Sequence, residues 1–234
     1  MKTIGVLLPV RNAERTVMSS LESVLNQTYT KLEVFCVVNG STDGSLELLR
    51  SCTDPRVKVF ESPVPGLVPA LNFGLQNMSH DLIARQDSDD RWHTTKLEKQ
   101  VMFLDENPDT HIVGCQIKLV GPDGKPQGNQ GHPYPLNHAG IQEAMLGGWN
   151  AIPHPGVVFR REILLRLGGY DDTYFMAEDY YLWLRALKWF KFANLPETLL
   201  DYTAVHNPNY DARVPQLLSQ SQLQIKAILQ SFGR

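Results

Sequence analysis

The residues best able to do chemistry stand together at Asp87-Ser88-Asp89-Asp90, directly after a run, Asp81 to Arg85, that reads as a strand. Three carboxylates within four residues repel one another. Two such charges about 4 Å apart cost roughly 4 kcal/mol at an effective dielectric of 20. A solvated acidic turn is the plain explanation. A divalent cation held by oxygen ligands would also relieve the repulsion, and it would recruit a diphosphate. Magnesium or manganese suits a donor set made of carboxylate oxygens. A second acidic segment, Glu178-Asp179, lies far downstream, where the dipole of a helix N-terminus would favour it in any case. Trp149, beside Gly147-Gly148 in an irregular stretch, is a candidate sugar-stacking platform, whereas Trp183 reads as core.

The elements that must position these groups follow from the apolar pattern. Ile4 to Val10 and Leu32 to Val38 are continuous apolar runs of buried-strand length, and Val57 to Phe60 makes a third strand. Val17, Leu21, Val24 and Leu25 form one helical stripe, and Leu67 to Met78 a second helix. Short strands alternating with helices call for a parallel, doubly wound sheet with right-handed crossovers. Such sheets bind ligands beyond the carboxyl ends of their strands. Residues 9–12, 39–44 and 86–90 fall there.

Further along, Thr95-Lys96-Leu97-Glu98 matches a capping box ahead of a helix carrying Leu97, Val101 and Leu104. Ile112 to Val120 is a strand, ended by the turn Gly121-Pro122-Asp123-Gly124. Residues 121–150 are rich in Gly, Pro, Asn and Gln and predict either a loop over the site or a mobile acceptor region. From Gly156 the pattern returns to strand, helix and a Gly168-Gly169 break, and residues 213–234 end in an amphipathic helix.

The 234 residues suffice for a sizeable core, and with 42% hydrophobic and 20% charged residues they describe an ordinary globular protein. A net charge of -3 gives no pull toward nucleic acid. Three cysteines without C-x-x-C spacing argue against a disulfide framework or a thiolate zinc site. Cys36 reads as a small core residue. There is no run of the roughly 18 apolar residues that a membrane span needs, and no charged-then-apolar leader. The expected location is therefore the cytoplasm, with peripheral membrane contact on its cytoplasmic face left open. The seven histidines show no H-E-x-x-H spacing.

The segment Ile83-Ala84-Arg85-Gln86-Asp87-Ser88-Asp89-Asp90 resembles the "IARxDxDD" segment of glycosyltransferase family 2, whose members have the GT-A fold. Leu8-Pro9-Val10-Arg11-Asn12-Ala13-Glu14, Ser23 to Tyr29 and Gly40 to Ser45 resemble its upstream landmarks. Leu97 to Val101, His154-Pro155, Gly168-Gly169-Tyr170-Asp171, Ala177-Glu178-Asp179-Tyr180 and Val205-His206 follow in order. The resemblance implies one α/β GT-A domain over 1–234, a single doubly wound, Rossmann-like mixed sheet flanked by helices. Residues 1–110 would form the nucleotide-sugar half and 111–212 the acceptor and catalytic half. It implies an inverting, metal-dependent transfer from a nucleotide-diphosphate sugar to a carbohydrate or glycolipid hydroxyl in polysaccharide synthesis.

By the same resemblance, Asp179 is the general base and Glu178 its helper. Asp89 and His206 hold manganese or magnesium. Pro9, Val10, Arg11, Asn12, Glu14, Asn39, Ser41, Gly66, Asn72, Arg85, Asp87 and Ser88 line the nucleotide-sugar site, and Trp149 and His154 meet the acceptor. Two departures bear on the base. Arg11 replaces an aromatic residue, and Val38-Asn39 replaces paired aspartates. Asn39 can accept from a uracil N–H but also donate, and Arg11 can stack through its guanidinium plane. Uridine is the first expectation, with guanosine and deoxythymidine open. The competing classes are a non-catalytic nucleotide-sugar-binding module and a nucleotidyltransferase. The latter would carry a Gly-rich basic loop where Pro9-Val10-Arg11-Asn12 stands.

Overall fold

The computed structural model describes residues 2–127, 132–174 and 177–204. His206 and the expected helix over 213–234 lie outside the described residues. Strand β1 (Ile4–Val10) is buried at every position. Its side chains divide between two cores: Ile4, Val6, Leu8 and Val10 enter one, and Leu7 the other. Strand β2 (Leu32–Val38) does the same, with Phe35 and Val37 on one face and Val34, Cys36 and Val38 on the other. Both faces are covered, so both strands read as continuous apolar runs rather than alternating ones.

Helix α1 (Val17–Leu25) buries Val17, Leu21 and Val24, the stripe its spacing predicts. Next come α2 (Ser45–Arg50), β3 (Val57–Glu61), α3 (Leu67–Gln76) and β4 (Leu82–Arg85). Strand β1 lies between β2 and β4, parallel to both, and β2 continues to β3 in parallel. The winding therefore reverses between β1 and β4, the switch point where such sheets leave a crevice beyond their strand ends. Helix α3 packs tightly over β1, because a Cβ on Gly74 would lie 2.3 Å from Leu7 Cδ1.

The second half adds β5 (Arg91–Trp92), α4 (Lys96–Glu106), β6 (Thr110–Val120), α5 (His138–Leu146), β7 (Val158–Arg160), α6 (Glu162–Leu167), α7 (Glu178–Leu187) and β8 (Lys191–Thr203). All eight strands join one mixed sheet, ordered β3-β2-β1-β4-β7-β6-β8-β5. Strand β7 runs antiparallel to its neighbours β4 and β6, and β5 antiparallel to β8. Trp183 is fully buried, edge-on to Phe159 at 5.7 Å between ring centres. The cysteines are free, and burial pushes the Cys36 thiol up to about 12.

Two local expectations are corrected. The capping box at Thr95 does not form: the Thr95 side chain makes no cap bond, and Glu98 instead accepts from the Thr28 hydroxyl at 2.9 Å. Gln27 takes over, its Oε1 receiving the Leu97 N–H at 2.9 Å while its amide nitrogen bonds the carbonyls of Ser23 and His93. A long-range cap thus replaces a local one. The stretch 121–150 is also not all loop, since α5 occupies His138–Leu146 with Asn137 capping it through Gly140 N–H at 2.9 Å. Its composition hid a helix that only tertiary burial of Ile141 and Met145 stabilises.

Candidate active site

The turn after β4 is held from below by polar groups with no surface. Gln86 is fully buried, and its amide nitrogen donates to Ser20 Oγ at 3.0 Å and to the Asp90 carbonyl at 2.8 Å. Ser20 in turn donates to the Asp87 carbonyl at 2.6 Å. From the end of β8, the Thr203 N–H donates to Asp90 Oδ1 at 2.7 Å. These bonds fix the backbone so that carboxylate oxygens of Asp87, Asp89 and Asp90 lie within 4.8 Å of one another. Burial first, and then neighbouring charge, pushes Asp89 and Asp90 above the usual carboxylate range. Asp90 has one oxygen on Thr203 and Asp87 one on Arg85, while Asp89 has no ion-pair partner among the described residues. An all-oxygen donor set under mutual repulsion fits a hard divalent cation.

The second acidic pair opens α7. Glu178 is 6% exposed and its Oε2 has no hydrogen-bond partner. Asp179 accepts the Tyr180 N–H through Oδ1 and the Asn150 side-chain amide through Oδ2, both at 2.7 Å. Burial raises both carboxyls, and on Asp179 the two donors oppose that rise. His154 approaches this pair, with ligand atoms of His154, Glu178 and Asp179 within 4.8 Å of one another. Its ring is 8% exposed, bonds the Tyr170 hydroxyl at 2.8 Å, and is held neutral by burial and by Arg85. It forms a wall of the site more than a face of it.

Arg85 connects the two clusters. It is 2% exposed and pairs with Asp87. Burial works against its charge, and the Asp87 carboxylate more than offsets that. The same charge acts favourably on Asp89, Glu178 and Asp179. One buried cation thus stands among carboxylates that lie 89 to 92 residues apart in the chain.

Beyond β1 and β2 the two expected nucleotide loops interlock. Asn12, at φ 49, sends its N–H to Ser41 Oγ at 3.1 Å and takes the Thr42 N–H on Oδ1 at 2.8 Å. Glu14 donates its N–H to Asp43 at 3.0 Å and accepts from Gly44 N–H at 2.8 Å. Asn12, Glu14 and Ser41 therefore build the loops themselves. Arg11 is exposed, while Asn39 is 2% exposed with its Oδ1 unpartnered. Pro9 and Val10 are buried at the end of β1, and Ser88 is half-buried between Asp87 and Asp89.

Gly66 opens α3 at φ 126. Asn72, six residues on, uses both ends of its amide on the Tyr170 backbone, at 2.9 and 3.0 Å. A cavity of about 350 Å³ lies beside Asn72, Gly168 to Asp172 and Arg185, and neither acidic cluster lines it. Trp149 is 39% exposed and stacks on Tyr134, ring centres 5.5 Å apart and nearly parallel. Tyr134 is close enough for the Asp179 charge, after burial, to raise its hydroxyl. Asn150, Gln86, Ser20, Tyr134 and Thr203 escaped the sequence reading. Their types are common, and only the sheet order brings them to the carboxylates.

A model of the family described as "Glycosyl transferase family 2" matches residues 5–168. The chain is 34% identical over 210 residues to the O-antigen biosynthesis glycosyltransferase WbnJ of Escherichia coli, covering 87% of this chain and 80% of that one. Among solved structures it resembles residues 1–349 of S. aureus TarS in complex with UDP-GlcNAc. There the TM-score is 0.74 at 19% identity, over 98% of this chain and 71% of that one. It also resembles the mannosyltransferase PcManGT of Pyrobaculum calidifontis in complex with GDP-Man and Mn2+. That match has a TM-score of 0.69 at 22% identity, over 92% of this chain and 61% of the other.

Proposed function

Because this chain belongs to glycosyl transferase family 2, we infer that its two acidic clusters divide a single-displacement sugar transfer between them. The protein is a glycosyltransferase of the GT-A fold. The acceptor hydroxyl oxygen attacks the anomeric carbon as the bond from that carbon to the diphosphate oxygen breaks. The hydroxyl proton passes to the Asp179 carboxylate, and the nucleoside diphosphate leaves with the bonding pair. One displacement inverts the anomeric centre. A raised carboxyl such as Asp179 is a better proton acceptor than an ordinary one. Asp89, with Asp87, Asp90 and His206, would hold manganese or magnesium, whose chemistry when bound is to neutralise charge on the departing diphosphate.

The observation that carries this division of labour is Arg85. It is buried and paired with Asp87, and its charge also acts on Asp179, so the donor and base subsites lie within reach of one buried charge. The interlocked loops at 9–14 and 39–45 would seat the nucleotide, with Arg11 over the base and Asn39 at its edge. Gly66, Asn72, Arg85 and Ser88 complete the donor half, residues 1–110. Residues 111–212 would supply the acceptor half, with Trp149 under the acceptor sugar and His154 behind the base.

The donor of choice is a UDP-sugar, and the acceptor a carbohydrate or a glycolipid at the cytoplasmic membrane face. No helix among the described residues is long and apolar enough to cross a membrane. The test is a donor screen, following nucleoside diphosphate release across UDP-, GDP- and dTDP-sugars with manganese. Turnover of a UDP-sugar is expected, and no turnover of any of them would reduce the chain to a binding module.

A further inference from the structure

The two hydrogen bonds on Asp179 differ in kind. The Tyr180 N–H is its own neighbour in the chain, a contact that any carboxylate opening α7 could make. The Asn150 amide arrives from 29 residues away and contacts the other oxygen at 2.7 Å. It is delivered by the segment 147–150, which turns through Gly148 at φ 94, a conformation that L side chains rarely adopt. Trp149, next to it in the chain, is pinned by its stack on Tyr134. Asn72 bonds through both ends of its amide, as a structural asparagine does. Asn150 does not: among the described residues its buried Oδ1 has no partner, and its side-chain hydrogen bond goes to the base.

We propose that Asn150 is a positioning residue for sugar transfer, which fixes the Asp179 carboxylate and keeps it ionised to receive the acceptor proton. This rests on the assignment of Asp179 as the base. The groups around that carboxylate are Glu178 on its own helix, His154, Tyr170 and Tyr134 from the surrounding segments, and Arg85 from β4. Burial drives the Asp179 carboxyl upward, and the amide donor works against it, since a bond to the charged form favours that form. Trp149 and Asn150 are consecutive, so the sugar platform and the group that aims the base move as one peptide.

The test uses Asn150→Ala and Asn150→Asp. The ionisation of Asp179 is read by carbon NMR of enzyme labelled at the aspartate carboxyls, its signal assigned by loss in Asp179→Asn. In parallel, the pH dependence of kcat is taken from UDP release, using whichever of UDP-glucose, UDP-galactose and UDP-N-acetylglucosamine turns over fastest. In Asn150→Ala both the titration and the acid limb should move up by about one pH unit. In Asn150→Asp, which keeps the shape but adds a like charge, they should move further. On the acid limb kcat should fall by about tenfold while the donor KM holds. An unmoved Asp179 titration and acid limb in both variants would overturn the proposal. Should Asp179→Asn itself transfer sugar normally, the base assignment falls instead, an outcome that the two Asn150 variants alone could not produce.

Discussion

Asp90 and Thr203 are bonded across 113 residues, the Thr203 N–H meeting Asp90 Oδ1 at 2.7 Å. The Thr203 hydroxyl returns a second bond, to the Asp89 carbonyl at 2.6 Å. The last strand thereby clamps the turn that presents Asp89. Thr203→Val keeps the backbone bond and removes only the hydroxyl. Half-maximal donor turnover should then need roughly threefold to tenfold more manganese, with about 1 kcal/mol lost in thermal unfolding. An unchanged manganese midpoint would show that this clamp does not shape the cation site.

Metal dependence follows from the crowding of Asp87, Asp89 and Asp90 within 4.8 Å. Donor turnover should vanish in a chelator and return with manganese or magnesium. Asp89→Ala should abolish that rescue without lowering the unfolding temperature, because it removes a like charge from a repelling cluster. Full turnover in a chelator would eliminate the cation from the reaction.

Asp179→Asn keeps the shape of the base and removes its proton affinity. Transfer should fall by about 10²–10⁴-fold while donor affinity holds. An α-linked donor should give a β-linked product, read directly by NMR. Burial raises Asp179 and Glu178, so wild-type activity should decline on acidification already above the usual carboxylate range. A product that retains the donor's configuration would refute single displacement.

The edge of the nucleotide base is predicted to meet Asn39, whose buried Oδ1 lacks a partner. Asn39→Asp should reorder the affinities of UDP, GDP and dTDP in calorimetry more than it changes stability. If their relative affinities stay fixed, the base lies elsewhere.

Lys96 is fully buried, with Nζ 2.9 Å from Gln100 Oε1 and 3.8 Å from the centre of the Trp92 ring. Burial lowers it to about 7, far below the roughly 10.4 of an unfolded lysine. Between those values the unfolded chain holds the extra proton, so wild-type stability rises with pH across that window. In Lys96→Met this rise is missing. The stability of wild type relative to the variant should therefore climb by a few kcal/mol, an order of magnitude only, between about pH 7 and 10. Parallel denaturation midpoints for the two proteins over that range would show that Lys96 keeps its normal affinity for protons.

The parallel half of the fold was legible because burial on both faces of β1 and β2 leaves apolar runs broken by one charged residue, Glu33. The acidic turn after β4 was legible because carboxylates rarely crowd without a reason. Other features were written in long-range contacts. Helix α5 is only weakly amphipathic and depends on what Ile141 and Met145 touch. The cap of α4 belongs to Gln27, some seventy residues upstream. Asn150 gives no local sign of its role, since an asparagine after Gly147-Gly148-Trp149 reads as one more turn residue. Arg85 was expected at the donor, but its reach to Glu178 and Asp179 needs β7 and α7 folded against β4.

The bonds between the Asn12 and Ser41 loops have a bearing on how such a protein diversifies. Asn12, Glu14, Ser41 and Asp43 satisfy one another, so the cradle holds its form through its own bonds. Arg11 and Asn39 contribute no side-chain bond to it. Mutation can therefore sample new side chains at these two positions without dismantling the frame around them. If Arg11 and Asn39 meet the base as proposed, donor preference is in that sense modular, separable from the scaffold that holds the loops together.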